Sequence, residues 1–220
     1  MNFKKIDLNF IVGFTLSVSF SFLLLYCRIL KTGSIFYSFL VWNLFLACIP
    51  YLITFVLQLI KIRATAFWIS FIVWVLFLPN APYLLTDFKH LKHHLSTVTW
   101  YDILLIASFA LNGLLIGTKS FLMMINLLDT RVSKTFKNLI IVSVLYLSGF
   151  GIYIGRFLRW NSWDIIQNPK ELLYDLSAIA LHPVQNIQAF IFTGVFGTFL
   201  LLTFYVFQRN NFQLNQSKNL

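Results

Sequence analysis

Six long apolar runs divide the chain, at roughly Leu8–Tyr26, Ile35–Ile60, Ala64–Leu85, Tyr101–Ile125, Asn138–Leu158 and Val184–Phe207. A helix needs about 20 largely apolar residues to cross a hydrocarbon core about 30 Å thick, and the runs match that length. The Gly and Pro residues within them do not break the reading, because neighbouring helices satisfy the backbone groups that they free. The pattern predicts an all-α fold, a polytopic integral membrane helix bundle of about six transmembrane helices. Six crossings place both termini on the same side.

Composition strengthens this. Of 220 residues, 59% are hydrophobic and only 11% charged, against roughly 45–50% and about 25% in soluble domains. Too few charges exist to clothe a water-exposed surface, which excludes a soluble enzyme, a disordered chain and a secreted disulfide scaffold. The net charge of +10, from 17 basic and 7 acidic residues, raises nucleic-acid binding, but the placement of the charges excludes it. Lys and Arg fall in twos and threes between the apolar runs, as Lys61/Arg63, Lys89/Lys92 and Arg156/Arg159 do. Loops that anchor transmembrane helices have this character.

Basic residues also orient the chain. The terminus side holds nine (Lys4, Lys5, Lys61, Arg63, Arg131, Lys134, Lys137, Arg209, Lys218) and the other side seven (Arg28, Lys31, Lys89, Lys92, Arg156, Arg159, Lys170), with Lys119 inside the fourth run. The excess places the termini in the cytoplasm of a multi-pass cell-membrane protein. Asp87, Asp102, Asp164, Glu171, Asp175 and all four histidines fall on the opposite face. The first run is too long for a cleaved signal peptide, and no small-x-small site follows it. Cys27 and Cys48 lie at different depths, so a disulfide is not expected. One domain is expected over 1–210, with a polar C-terminal tail over 211–220.

Three segments interrupt the apolar pattern. Pro79 and Pro82 break the third run below the outer interface. Either the helix end kinks there, with Asn80 capping the next turn, or a re-entrant corner lines a polar pocket. In Thr86–His94, Asp87, His90 and His94 fall at i, i+3 and i+7, on one face of an α-helix. A carboxylate and imidazoles so placed can share a hydrogen bond or a metal ion such as zinc. A polar Asp87–His90 pair is the preferred reading, and no metal is assigned. In Gly149–Asp164, Gly151 and Gly155 permit close helix approach. Arg156 and Arg159 follow one turn apart, in a pairing suited to phosphate or carboxylate. Trp160 and Trp163 suit the headgroup layer.

Next, Asn168-Pro169-Lys170-Glu171 reads as a capped helix start with Pro at its first position. Leu172, Leu173, Leu176, Ile179 and Ala180 then form an apolar stripe opposed by Lys170, Asp175 and Ser177. A short interfacial amphipathic helix is expected, ending at His182-Pro183.

The strings Leu76–Tyr83 with Thr86-Asp87 and His90, then Trp100-Tyr101-Asp102, then Gly155–Asp164 resemble the bacterial membrane proteins of domain of unknown function 1361. The resemblance spans roughly the second run to the sixth and implies a polytopic bacterial membrane protein. That family brings no established reaction, substrate or catalytic residue.

Topology therefore directs Asp87, His90, Asp102, Arg156, Arg159, Asn161, Asp164 and His182 to one membrane face, where ionisable residues are costly and are functional candidates. The leading expectation is an integral membrane protein whose outward polar cluster contacts anionic lipid or a partner membrane protein. Asn80, Arg156, Arg159, Asn161, Trp163, Asp164 and His182 are its binding candidates. Gly113-xxx-Gly117 and Gly151-xxx-Gly155 offer close-packing faces. The alternative is a membrane-embedded enzyme acting on a lipid or lipid-linked substrate, with Asp87, His90 and Asp102 as catalytic candidates. A small transporter is the second alternative, weakened because the Pro50 position in the second run has no counterpart in the other half. No pattern names a cofactor.

Overall fold

The computed structural model describes the backbone of residues 8–93 and 99–217 and the side chains of 8–91 and 100–207. It is 87% helical. Six helices are long and apolar enough to cross a membrane: Leu8–Thr32, Phe36–Leu59, Ala64–Leu91, Trp100–Leu128, Lys134–Leu158 and Ile187–Phe207. The chain is a polytopic helical membrane protein, and the six apolar runs locate its crossings. By contact it forms two compact units, Met1–Met123 and Met124–Leu220.

The first unit contains α1 (Leu8–Thr32), a 3₁₀ turn (Phe36–Ser38), α2 (Phe39–Leu59), α3 (Ala64–Phe77), α4 (Asn80–Tyr83), a long 3₁₀ segment (Leu84–His93) and most of α5 (Thr99–Leu128). Leu40, Leu44, Ala47, Ala81, Leu84, Leu105, Ile106 and Phe109 form its core. A polar seam joins α1 to α5 antiparallel along most of the length of α1. Arg28 binds Asp102 at one end, and the Tyr101 hydroxyl donates to the Leu24 carbonyl. In the middle, Asn112 Nδ2 donates to Ser21 Oγ and to the Ser17 carbonyl. At the other end the Lys119 ammonium stands 4.7 Å from the Phe10 ring centroid. Lipid gives apolar helices no hydrophobic reason to associate, so such bonds hold them together. They also explain why α1 continues past Tyr26, where its apolar run stops, to Thr32.

On its other side α5 is smooth. A Cβ at Gly113 would stand 2.5 Å from the Ala81 carbonyl oxygen, and one at Gly117 2.6 Å from the Ala81 Cβ. Gly113-xxx-Gly117 is therefore a close-packing face, as expected, and α4 of the same chain packs on it.

The second unit receives the end of α5 and adds α6 (Lys134–Tyr153), a π-turn (Ile154–Leu158), α7 (Asp164–Gln167), α8 (Pro169–Leu181) and α9 (Ile187–Ser217). Antiparallel α6 and α9 cross where a Cβ on Gly149 would lie 3.0 Å from the Gly197 nitrogen and the Thr193 carbonyl. Tyr146 and Thr198 share a hydrogen bond of 3.0 Å beside this crossing. The polar segment read as a tail from Asn211 is helical as far as Ser217.

Candidate functional site

Of the ten candidate residues, Asn80, Asp87, His90 and Asp102 belong to the first unit; Arg156, Arg159, Asn161, Trp163, Asp164 and His182 belong to the second.

The proline break in the first unit is a kink that stays helical, as α3 gives way to α4 through Leu78 and Pro79 in right-handed conformation. Pro82 has no N–H to offer, and the freed carbonyls find other donors. Ala81 N–H turns to Leu78 O (3.1 Å), and Asn80 Nδ2 donates to Phe77 O (2.9 Å). Asn80 thus closes the turn before it, and the cap position of α4 is held by Pro79, which has no capping side chain.

Beyond the kink the chain tightens to 3₁₀ geometry over Leu84–His93. With three residues per turn, side chains at i and i+3 eclipse, so Leu84, Asp87 and His90 share one row. His94, which the α-helical spacing adds to that row, lies outside the described residues, as does the side chain of His93. Asp87 is 1% exposed and accepts a hydrogen bond from Asn43 Nδ2 of α2 at 3.0 Å. His90 lies against aromatic rings, 4.9 Å from Phe39 and 6.1 Å from Phe36 by centroids. Among the described residues, no group of three or more His, Cys, Asp or Glu side chains is arranged to hold a metal ion.

Asp102 is held by a clamp. Arg28 Nε donates to its Oδ1 (2.5 Å) and Nη2 to its Oδ2 (3.0 Å), and the Tyr37 hydroxyl donates to Oδ2 (3.2 Å). Arg28 is 5% exposed and Asp102 2%. A bidentate guanidinium on a desolvated carboxylate is strong and geometrically fixed. Three donors converge on the two oxygens, so this geometry fastens α1, the Phe36–Ser38 turn and α5 together. Arg28, Tyr37 and Asn43 were not among the candidates. The one available signal was that Arg28 and Asp102 fall on the same membrane face.

In the second unit the chain leaves α6 through the π-turn. Arg156 lies inside it, 8% exposed. Arg159 ends the turn in the left-handed region, φ 64°, where its N–H and that of Trp160 both reach the Ile154 carbonyl. Glycine usually fills this position, and a residue with a Cβ is strained there by about 1–2 kcal/mol. The Arg159 side chain is exposed. The two arginines thus occupy different environments, one inside the turn and one outside it.

The following loop is pinned at two points. Asp164, buried, accepts from the Asn161 backbone N–H (2.6 Å) and from Asn161 Nδ2 (3.3 Å), the reach-back of a capping acid. Trp160 Nε1 donates to Asp175 of α8 at 2.8 Å. Trp163 precedes α7, half-buried. α8 begins with Pro169 at its first turn as the sequence requires, although Asn168 makes no side-chain capping bond. Its Leu172 and Ile179 are buried, while Leu173, Tyr174 and Leu181 are exposed, as is Ile166 of α7. His182 is exposed at the end of α8, its carbonyl accepting from Asn186 Nδ2. A helix that is apolar both towards its own unit and on part of its open side suits the lipid–water boundary.

No curated protein and no solved structure matches the chain. A family model does, over residues 42–203, a segment that contains all ten candidates and begins after α1. The chain belongs to that family, described as "Protein of unknown function (DUF1361)".

Proposed function

We propose that this membrane protein binds anionic lipid headgroups with the corner of its second unit, Gly155–Asp164 together with α8, at the outer face of the cell membrane. The observation that carries the reading is Arg159. Its guanidinium is exposed and makes no hydrogen bond or ion pair with the described residues, while its backbone is fixed by the π-turn and the loop behind it by Asp164 and Trp160. A cation near the membrane surface contributes about 1 kcal/mol towards anionic lipid. Exposed Leu173, Tyr174 and Leu181 supply the apolar side of the same contact.

Nanodiscs of phosphatidylcholine mixed with phosphatidylglycerol test this by native mass spectrometry of retained lipid. Enrichment of phosphatidylglycerol that falls with Arg159→Ala supports the reading; no enrichment in the wild type removes it. Orientation is tested separately with cysteines introduced at Ser96 and Ser133. A membrane-impermeant thiol probe is expected to label the first in intact cells and not the second; the reverse pattern puts the corner on the cytoplasmic face.

A second reading, a membrane-embedded enzyme, is favoured by the Leu84–Asp87–His90 row, which sets a buried carboxylate one turn from an imidazole. It is separated from lipid binding by Asp87→Asn. Unchanged lipid retention with lost cellular function supports chemistry in the first unit.

A further inference from the structure

We propose that the corner holds one phospholipid whose acyl chain lies along an aromatic ladder running from the π-turn down α9. This inference rests on the headgroup reading above and adds where the tail goes. Phe157 of the π-turn stacks on Tyr153 (4.9 Å between centroids) and meets Phe192 of α9 edge-on (5.4 Å). Phe192 stacks on Phe196 (5.1 Å), which meets Phe199 (5.8 Å). On α9 these three rings fall at i, i+4 and i+7, one face of a helix. They descend about 10 Å at 1.5 Å per residue.

The ladder is not simply core. Phe157 is 54% exposed and Phe199 43%, so the top and bottom of the ladder are both open, while Tyr153 at its back is buried against Ile179 and Ala189. Rigid rings offer a large apolar area at little entropy cost, since each has few rotatable bonds. Arg159 stands two residues past Phe157, at the headgroup end. A cation at the membrane boundary followed by an apolar track running into the hydrocarbon matches the charged head of an anionic phospholipid and the upper part of its acyl chain. A free phosphate ion would use only the first, and a neutral hydrocarbon only the second.

The test uses the full chain in phosphatidylcholine nanodiscs doped with phosphatidylglycerol carrying a diazirine midway along one acyl chain, followed by peptide mapping. Labelling is expected to concentrate on peptides containing Phe157 and Phe192–Phe199. It is expected to exceed that from the equivalent phosphatidylcholine probe by about fivefold, and Arg159→Ala should remove the excess. Phe157→Leu and Phe199→Leu, both at exposed positions and so tolerable to the fold, are expected to lower labelling of the ladder with the phosphatidylglycerol preference intact. If the ladder is labelled equally by both probes, the headgroup reading fails. If phosphatidylglycerol is preferred but its label spreads over exposed positions of α1 and α9 alike, or ignores the two Phe→Leu variants, the ladder inference fails and the headgroup reading stands.

Discussion

Two arginines close apolar helices in this protein, and their surroundings are opposite. Arg28, near the end of α1, is buried with a bidentate carboxylate and a tyrosine hydroxyl around its partner. Arg159, after α6, is exposed on a left-handed backbone, and its guanidinium bonds to no described residue. Sequence treats them alike, as basic residues after an apolar run. The difference shows that a boundary arginine acquires its role from what lies opposite it in the fold. A carboxylate 74 residues away makes Arg28 a fastener, and the lack of one among the described residues leaves the Arg159 side chain exposed.

Breaking the fastener is expected to have the largest effect. Asp102→Ala strands a buried guanidinium, and Arg28→Ala strands a buried carboxylate. Each should destabilise the first unit by about 3 kcal/mol or more, measured by thermal unfolding in detergent. Replacing both with apolar residues of similar volume should recover much of the loss, because neither charge is then left alone.

Next in size are the glycine crossings. Gly113→Ala sets a Cβ 2.5 Å from backbone oxygen, which cannot swing aside; a loss of about 2 kcal/mol is expected. Gly149→Ala, with its nearest atoms at 3.0 Å, should cost about 1 kcal/mol. An equal loss at both would show that the first unit yields more readily than its close packing implies.

A smaller change sharpens the corner. Trp160→Phe keeps an aromatic ring, though a smaller one, and deletes the bond to Asp175, with an expected loss of about 1 kcal/mol. Smallest of all is Arg159→Ala, expected to leave stability within about 0.5 kcal/mol. Arg159→Gly should hold stability or raise it, because the left-handed backbone no longer carries a Cβ.

These contrasts also explain how far the sequence could be read. The crossings were visible because hydrocarbon imposes length and composition on every span. The start of α8 was visible too, since Pro169 suits only a first turn. Arg28 was missed because its partner, Asp102, lies far along the chain and no local pattern joins them. Asn43 was missed for the same reason, being a lone amide inside an apolar helix whose meaning comes from Asp87. The row of Asp87 and His90 was visible, but its 3₁₀ geometry after Pro79 and Pro82 was not, a change that no side-chain pattern announces. The left-handed backbone at Arg159 carried no signal, since glycine is the residue that normally marks it.

The contrast between the two arginines is tested most directly by measuring unfolding temperature and phosphatidylglycerol retention together, in the same nanodiscs, for Arg28→Ala and Arg159→Ala. The account predicts that Arg28→Ala lowers the unfolding temperature sharply while the folded fraction still prefers phosphatidylglycerol, and that Arg159→Ala keeps the unfolding temperature and loses the preference. An Arg159→Ala protein that unfolds early yet still selects phosphatidylglycerol would contradict it.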